Sequence, residues 1–185
     1  KEQWLQSSNS VLFLSEIALD LAYRCWLENP KRVPEDLFTE LMEHSYKLLE
    51  SYMVSGNWKA ADQYTYRIMV QVLDKSVGDF FTPKELLTFP CQDLLRLDDL
   101  WVQHSGGKFG FSVQKKIWVQ LDGKLDGEWD YETYKRFGME IAWYDNDFKF
   151  IGYKNFKFEI TDVTPVGHLP VGSGVSGLHL PVSGS

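Results

Sequence analysis

Proline and glycine cut this chain into segments of helical period, and that punctuation constrains the fold more than any other feature. Pro30 and Pro34 separate two such segments and Gly56 stops the second. Pro83 opens a short one, and Ser105-Gly106-Gly107 closes another. Leu37, Phe38, Leu41, Met42, Leu48, Leu49 and Tyr52 follow one helical face, with Glu40, Glu43, Lys47 and Glu50 opposite. A helix is predicted over 58–74, with Trp58, Ala61, Thr65, Ile68, Met69 and Val72 inward. Thr82-Pro83-Lys84-Glu85 is a capping box with proline at the first helical position, and the short helix behind it carries Leu86 and Leu87. Further helices are expected over 90–104, over 110–121 with Phe111, Trp118 and Leu121 sharing a face, and from 130 to about 143. Only 147–160 alternates: Phe148, Phe150, Phe156, Phe158 and Ile160 are separated by polar residues, as in an extended segment or short hairpin. The fold class is therefore mostly α, a multi-helix domain with a short extended C-terminal segment.

Residues 11–27 are apolar enough to suggest a membrane span. Glu16, Asp20, Arg24 and Glu28 instead lay a charged stripe along that helix, which favours burial among neighbours. The formal net charge of -7 argues against a phosphate-binding footprint and hence against a nucleic-acid partner. Lys108, Lys115 and Lys116 are the one local basic cluster and read as a solvated face. Cys25 and Cys91 read as small buried hydrophobes in a reducing compartment. The chain starts at Lys1, which leaves room for a targeting peptide ahead of it. No nucleophile–base pair, metal-ligand spacing or phosphate loop stands out, so a non-enzymatic role is expected. Asp98-Asp99 are adjacent on a helix, point apart, and read as an exposed face. The tail repeats His168-Leu169-Pro170-Val171 as His179-Leu180-Pro181-Val182 amid Gly and Ser, and is expected to be mobile or laid along a surface.

Several short runs carry a more specific signal. They are Asn57-Trp58-Lys59-Ala60-Ala61-Asp62 followed by Thr65; Phe89-Pro90-Cys91-Gln92-Asp93-Leu94; Leu100-Trp101; Phe109-Gly110-Phe111-Ser112-Val113-Gln114; and Gly167-His168-Leu169-Pro170. In that order they resemble the genomes-uncoupled-four family over about 56–170. The resemblance implies a helical porphyrin-binding domain over 56–170, preceded by accessory helices over 1–55 and followed by a Gly/Ser-rich tail over 171–185. It further implies a cupped apolar face for protoporphyrin IX or Mg-protoporphyrin IX, or a chlorophyll-related pigment. The implied role is regulation of magnesium chelatase, at the entry to chlorophyll synthesis. The implied location is the plastid stroma, a thylakoid surface or a cyanobacterial cytoplasm. A structural or assembly subunit docked on a photosynthetic pigment–protein complex is the alternative.

On the same resemblance, loops between helices form the cup. Phe80 and Phe81 lie on one loop, with Leu86 and Leu87 on the short helix beyond. Tyr153, Lys154 and Phe156 form a second wall. A flat tetrapyrrole needs aromatic or branched walls for its faces and cations or water at its rim. Burying ~400 Å² at ~25 cal/mol per Å² yields about 10 kcal/mol gross, which leaves about 6 kcal/mol after an association cost of roughly 4 kcal/mol, enough for binding at tens of micromolar. Phe80 and Phe81 could equally turn inward as core, and the resemblance favours the ligand role. Phe109 and Phe111 are expected behind the site, locking the glycine turn, and Trp101 in the core. Tyr66 stands where several relatives carry arginine, and the tail lacks arginine. Propionates would then meet Lys84, Lys154, Lys157 or Arg67. His104, His168 and His179 are conceivable axial ligands for magnesium, but a backbone-bonding role is the stronger reading for His168.

Overall fold

The computed structural model describes residues 35–126 and 130–171. The apolar helix expected over 11–27, with Cys25, and the tail from 172, with His179, lie outside the described residues. Among the described residues six helices follow one another: α1 (Glu35–Val54), α2 (Trp58–Val72), α3 (Pro83–Leu87), α4 (Cys91–His104), α5 (Phe111–Gln120) and α6 (Tyr131–Glu140). A 3₁₀ turn, Tyr153–Asn155, comes after them. Among the described residues there is no strand, only one antiparallel bridge between Tyr144 and Phe150. The alternating segment is therefore irregular, yet its period-two aromatics do converge: the Phe156 ring centroid lies 5.6 Å from Phe150 and 6.4 Å from Phe158.

The core is centred on α2. The expected face of Trp58, Ala61, Thr65, Ile68 and Met69 is buried, and so are Asp62, Tyr64, Tyr66, Val70 and Gln71. A helix covered on nearly all sides must be enclosed by its neighbours. Leu41 and Leu49 of α1 are fully buried in the same apolar cluster, as are Leu97 and Trp101 of α4. Trp58, Trp101 and Phe109 form an aromatic trio with centroids 5.8 to 6.3 Å apart. The Trp101 indole donates to Thr65 Oγ1 at 2.9 Å, so the largest buried side chain is also satisfied.

The separated sequence runs meet in space. Gly110 N–H donates to the Leu169 carbonyl at 3.1 Å, and Gly167 N–H donates to the Lys108 carbonyl at 2.8 Å. Gln114 Nε2 donates to the carbonyls of both Gly167 and Pro170 at 2.9 Å. This clasp closes residues 167–170 onto the α4–α5 turn. Gly110 is required there: its φ is +137°, and a Cβ would fall 2.8 Å from Asp98 Oδ1 and 2.9 Å from Val102 Cγ2.

Some expectations are corrected. Asp98 does not merely face solvent: its Oδ1 accepts from Ser112 N–H at 2.8 Å, supplying the cap that Gly110 cannot. In α5 the most buried residues are Val113 and Ile117, while Phe111, Trp118 and Leu121 pack partly buried against the core, Trp118 edge-on to Phe137 at 5.7 Å. Helix α6 stops short of Trp143 because Ala142 adopts φ +56°, and Trp143 N–H turns back to the Gly138 carbonyl. Cys91 is exposed at the start of α4 rather than buried.

Candidate functional site

Lys59, Asp62 and Tyr66 stand at i, i+3 and i+7 on α2 and so share one face. Each reaches a different part of the two segments that leave the helical core. Tyr66 holds the α2–α3 loop. Its hydroxyl donates to the Asp79 carbonyl and accepts from Gly78 N–H, both at 2.8 Å. Its ring meets Phe81 edge-on at 5.8 Å. Phe81 is thereby drawn inward, while the adjacent Phe80 is 57% exposed. The capping box of α3 forms as expected, with Glu85 N–H donating to Thr82 Oγ1 and Thr82 N–H donating to Glu85 Oε2. Lys75 adds an ion pair to Glu85 at 2.7 Å. The Lys75 hydrogen bond, then those from Thr82, push the Glu85 carboxyl down to about 2. A helix of five residues is thus pinned at its first turn, and it presents Leu86 and Leu87, 43% and 81% exposed, to solvent.

Asp62 holds the second segment. Tyr153 donates its phenol to Asp62 Oδ2 at 2.8 Å. Burial, and then the Asp62 carboxylate, push that phenol well above its ordinary value, so it remains a donor. Val171 N–H donates to Asp62 Oδ1 at 2.6 Å. The Tyr153 ring lies 5.2 Å from Phe158 and 6.1 Å from Phe156. Lys59 Nζ stands 5.9 Å from the Phe158 ring centroid. Beside these rings opens a cleft of about 520 Å³, lined by Phe156, Lys157, Phe158, Glu159, Thr161, Val163 and Thr164. That volume falls within the ~300–1,000 Å³ of small-molecule sites.

Phe156 is buried and stacks on the imidazole of His168 at 5.1 Å and 27°. His168 Nδ1 lies 2.7 Å from the Ile141 carbonyl, which can only accept, so Nδ1 carries the proton. Its Nε2 is buried without a partner. Burial, with Lys157 adding repulsion, holds the imidazole below its ordinary value, so it is neutral. Trp143 Nε1 donates to the His168 carbonyl at 2.8 Å. His168 thus secures the closing turn through the backbone, with its ring buried against Phe156. His104, the other candidate in the described part, faces Glu50 of α1 at 3.6 Å. Among the described residues, no group of three or more His, Cys, Asp or Glu side chains could hold a metal ion. No described helix is long and apolar enough to cross a membrane.

The residues expected at the site therefore divide. Phe80, Leu86 and Leu87 are presented on the first wall. Phe81 is a core residue that supports it from behind, through Tyr66. On the second wall Tyr153 is half-buried and Lys154 exposed. Phe156 packs inward, and the more accessible Phe158 takes the outer place. Of the cations expected at a ligand rim, Lys84 and Lys157 are exposed, whereas Arg67 lies over Tyr64 at 5.1 Å. Lys108 Nζ donates to the Thr161 carbonyl, while Lys115 and Lys116 are exposed. Sequence reasoning missed Lys59, Asp62 and Phe158. The one signal for Lys59 and Asp62 was their helical spacing with Tyr66 on a largely buried helix, and Phe158 stood out only as one of the alternating aromatics.

Comparison with known proteins places this geometry in context. The family model described as GUN4-like matches residues 39–182. A tetrapyrrole-binding, chloroplastic protein of Arabidopsis thaliana is 32% identical over 146 residues, covering 73% of this chain and 51% of that protein. A Ycf53-like protein of Synechocystis is 26% identical over 139 residues, covering 73% of this chain and 54% of its own length. The chain thus spans about half the length of these curated relatives. The ligand-free structure of Arabidopsis thaliana GUN4 superposes with a TM-score of 0.57 at 30% identity, over 71% of this chain and 87% of that one.

Proposed function

The chain belongs to the GUN4-like family, and from that premise we propose that it is a non-enzymatic tetrapyrrole-binding protein of a plastid or a cyanobacterium. Its ligand is protoporphyrin IX or Mg-protoporphyrin IX, received between the Phe80–Leu86–Leu87 wall and the Tyr153–Phe158 wall. The observation that carries this reading is the common suspension of both walls from α2: Tyr66 holds one and Asp62 the other, one helical turn apart. Two apolar surfaces fixed to one rigid helix suit a flat ligand, because little ordering entropy remains to be lost on binding. Lys59 and Lys157 flank the second wall, and Lys154 and Lys84 supply further charge for propionates. The binding named for the Arabidopsis relative supports the ligand class.

Downstream of binding, the reading extends to regulation of magnesium chelatase, on the family resemblance. The experiment is a titration of the native protein with protoporphyrin IX, following quenching of its seven tryptophans. Saturable quenching with a midpoint at roughly tens of micromolar is expected from the area argument. No quenching up to roughly ten times that concentration, or detectable chemical turnover of the porphyrin, overturns the reading.

A further inference from the structure

We infer that Asp62 is a positioning residue: one buried carboxylate that ties the second wall, through Tyr153, to the end of the closing segment, through Val171, so that the two settle over α2 together. The inference rests on the porphyrin-site reading for its ligand arm only. Asp62 is fully buried, and in both bonds it accepts, as an ionised carboxylate must. Its donors come from positions 91 and 109 residues away in the chain. A buried carboxylate is costly unless donors replace its water. Opening either segment re-exposes it, and the loss of one donor weakens the case for keeping the other in place. The two closures are therefore cooperative although Tyr153 and Val171 need not touch.

The closing segment offers a clean reporter. Lys108, Gly110, Gln114 and Trp143 secure residues 167–170. Val171 N–H, one residue further, is held by Asp62. Its exchange with solvent thus reports on that carboxylate rather than on the clasp before it.

The experiment is amide hydrogen exchange on the full chain, with and without protoporphyrin IX, for the wild type, Tyr153→Phe and Asp62→Asn. Tyr153→Phe removes one hydroxyl and keeps the ring. It is expected to speed exchange at Val171 about tenfold, the effect of losing one charge-assisted hydrogen bond, with Leu97 and Trp101 amides unchanged. Saturating porphyrin is expected to slow Val171 exchange in the wild type and to lose that effect in Asp62→Asn. Wild-type exchange at Val171 in Tyr153→Phe overturns the inference, as does an equal acceleration at Leu97 and Trp101, which reports global loosening. Should the wild type not bind porphyrin, the functional reading falls, while the ligand-free comparison of Tyr153→Phe with wild type still decides the coupling.

Discussion

Two neighbouring phenylalanines are expected to behave in opposite ways when truncated. Phe81 is 8% exposed and lies edge-on to Tyr66, whereas Phe80 is 57% exposed. Phe81→Ala removes a packed ring and opens a void beneath the loop. The expected cost is about 3 kcal/mol, the lower end of the range for a phenylalanine in a core, because a loop can collapse further than a helix bundle. At this chain length that lowers Tm by about 6–12 °C. Phe80→Ala changes stability by about 1 kcal/mol or less, since most of its ring is already in water. Its effect falls on binding. A phenylalanine of roughly 200 Å² that is 57% exposed offers about 110 Å² to a ligand. A porphyrin covering half of that gains ~1.4 kcal/mol at ~25 cal/mol per Å², so Phe80→Ala should weaken affinity about tenfold. Porphyrin titration gives the second quantity, and thermal and urea unfolding followed by circular dichroism give the first. Wild-type affinity in Phe80→Ala, together with weakened binding and unaltered Tm in Phe81→Ala, would refute the assignment of wall and support.

Trp101→Ala should cost about 3–5 kcal/mol, because a fully buried indole is lost along with its bond to Thr65; urea unfolding measures it, and a loss under about 1 kcal/mol would contradict the core assignment. His168 makes stability pH-dependent. Its folded pKa lies below the ordinary value, so the unfolded chain binds the proton first as pH falls. The contribution of neutral His168 is complete above about 6.5 and is lost progressively as pH drops from there through the lower folded value. Unfolding midpoints between pH 7 and 5 should show that decline, and His168→Gln should flatten it.

The helices were legible because their signals are local. Thr82 and Glu85 form their capping box within four residues, and Gly56 ends α1 with φ +70°. Two details inside helices, how deeply the α5 face sits and where α6 ends, depended on distant partners. Trp118 is held half-out by Phe137 and by its indole bond to the Lys124 carbonyl. Trp143 is taken from α6 by the His168 carbonyl, 25 residues on. The site was legible only as two segments. Phe80 and Phe81 could be picked out as loop aromatics, and Tyr153 and Phe156 through the family resemblance, but which ring of each pair faces out is fixed by Tyr66 and His168. Nothing in the local sequence carries that choice.

The same long-range contacts explain how exposed apolar loops can coexist with a fixed geometry. Loops that show hydrophobic side chains to water ordinarily collapse or associate, unless their backbone is held. Here the anchors are polar and lie inside: the Tyr66 hydroxyl satisfies a backbone donor and a backbone acceptor of the first loop, and the Asp62 carboxylate satisfies Tyr153 and Val171. These polar atoms are thereby spent on the chain itself. The charge left for the rim of a ligand resides on Lys59, Lys84, Lys154 and Lys157, whose flexible stems give weak and strongly solvated ion pairs. On the proposed reading affinity then comes mainly from the area of the ring faces, and the positions that set it are those governing which rings point outward, Tyr66 and His168 foremost.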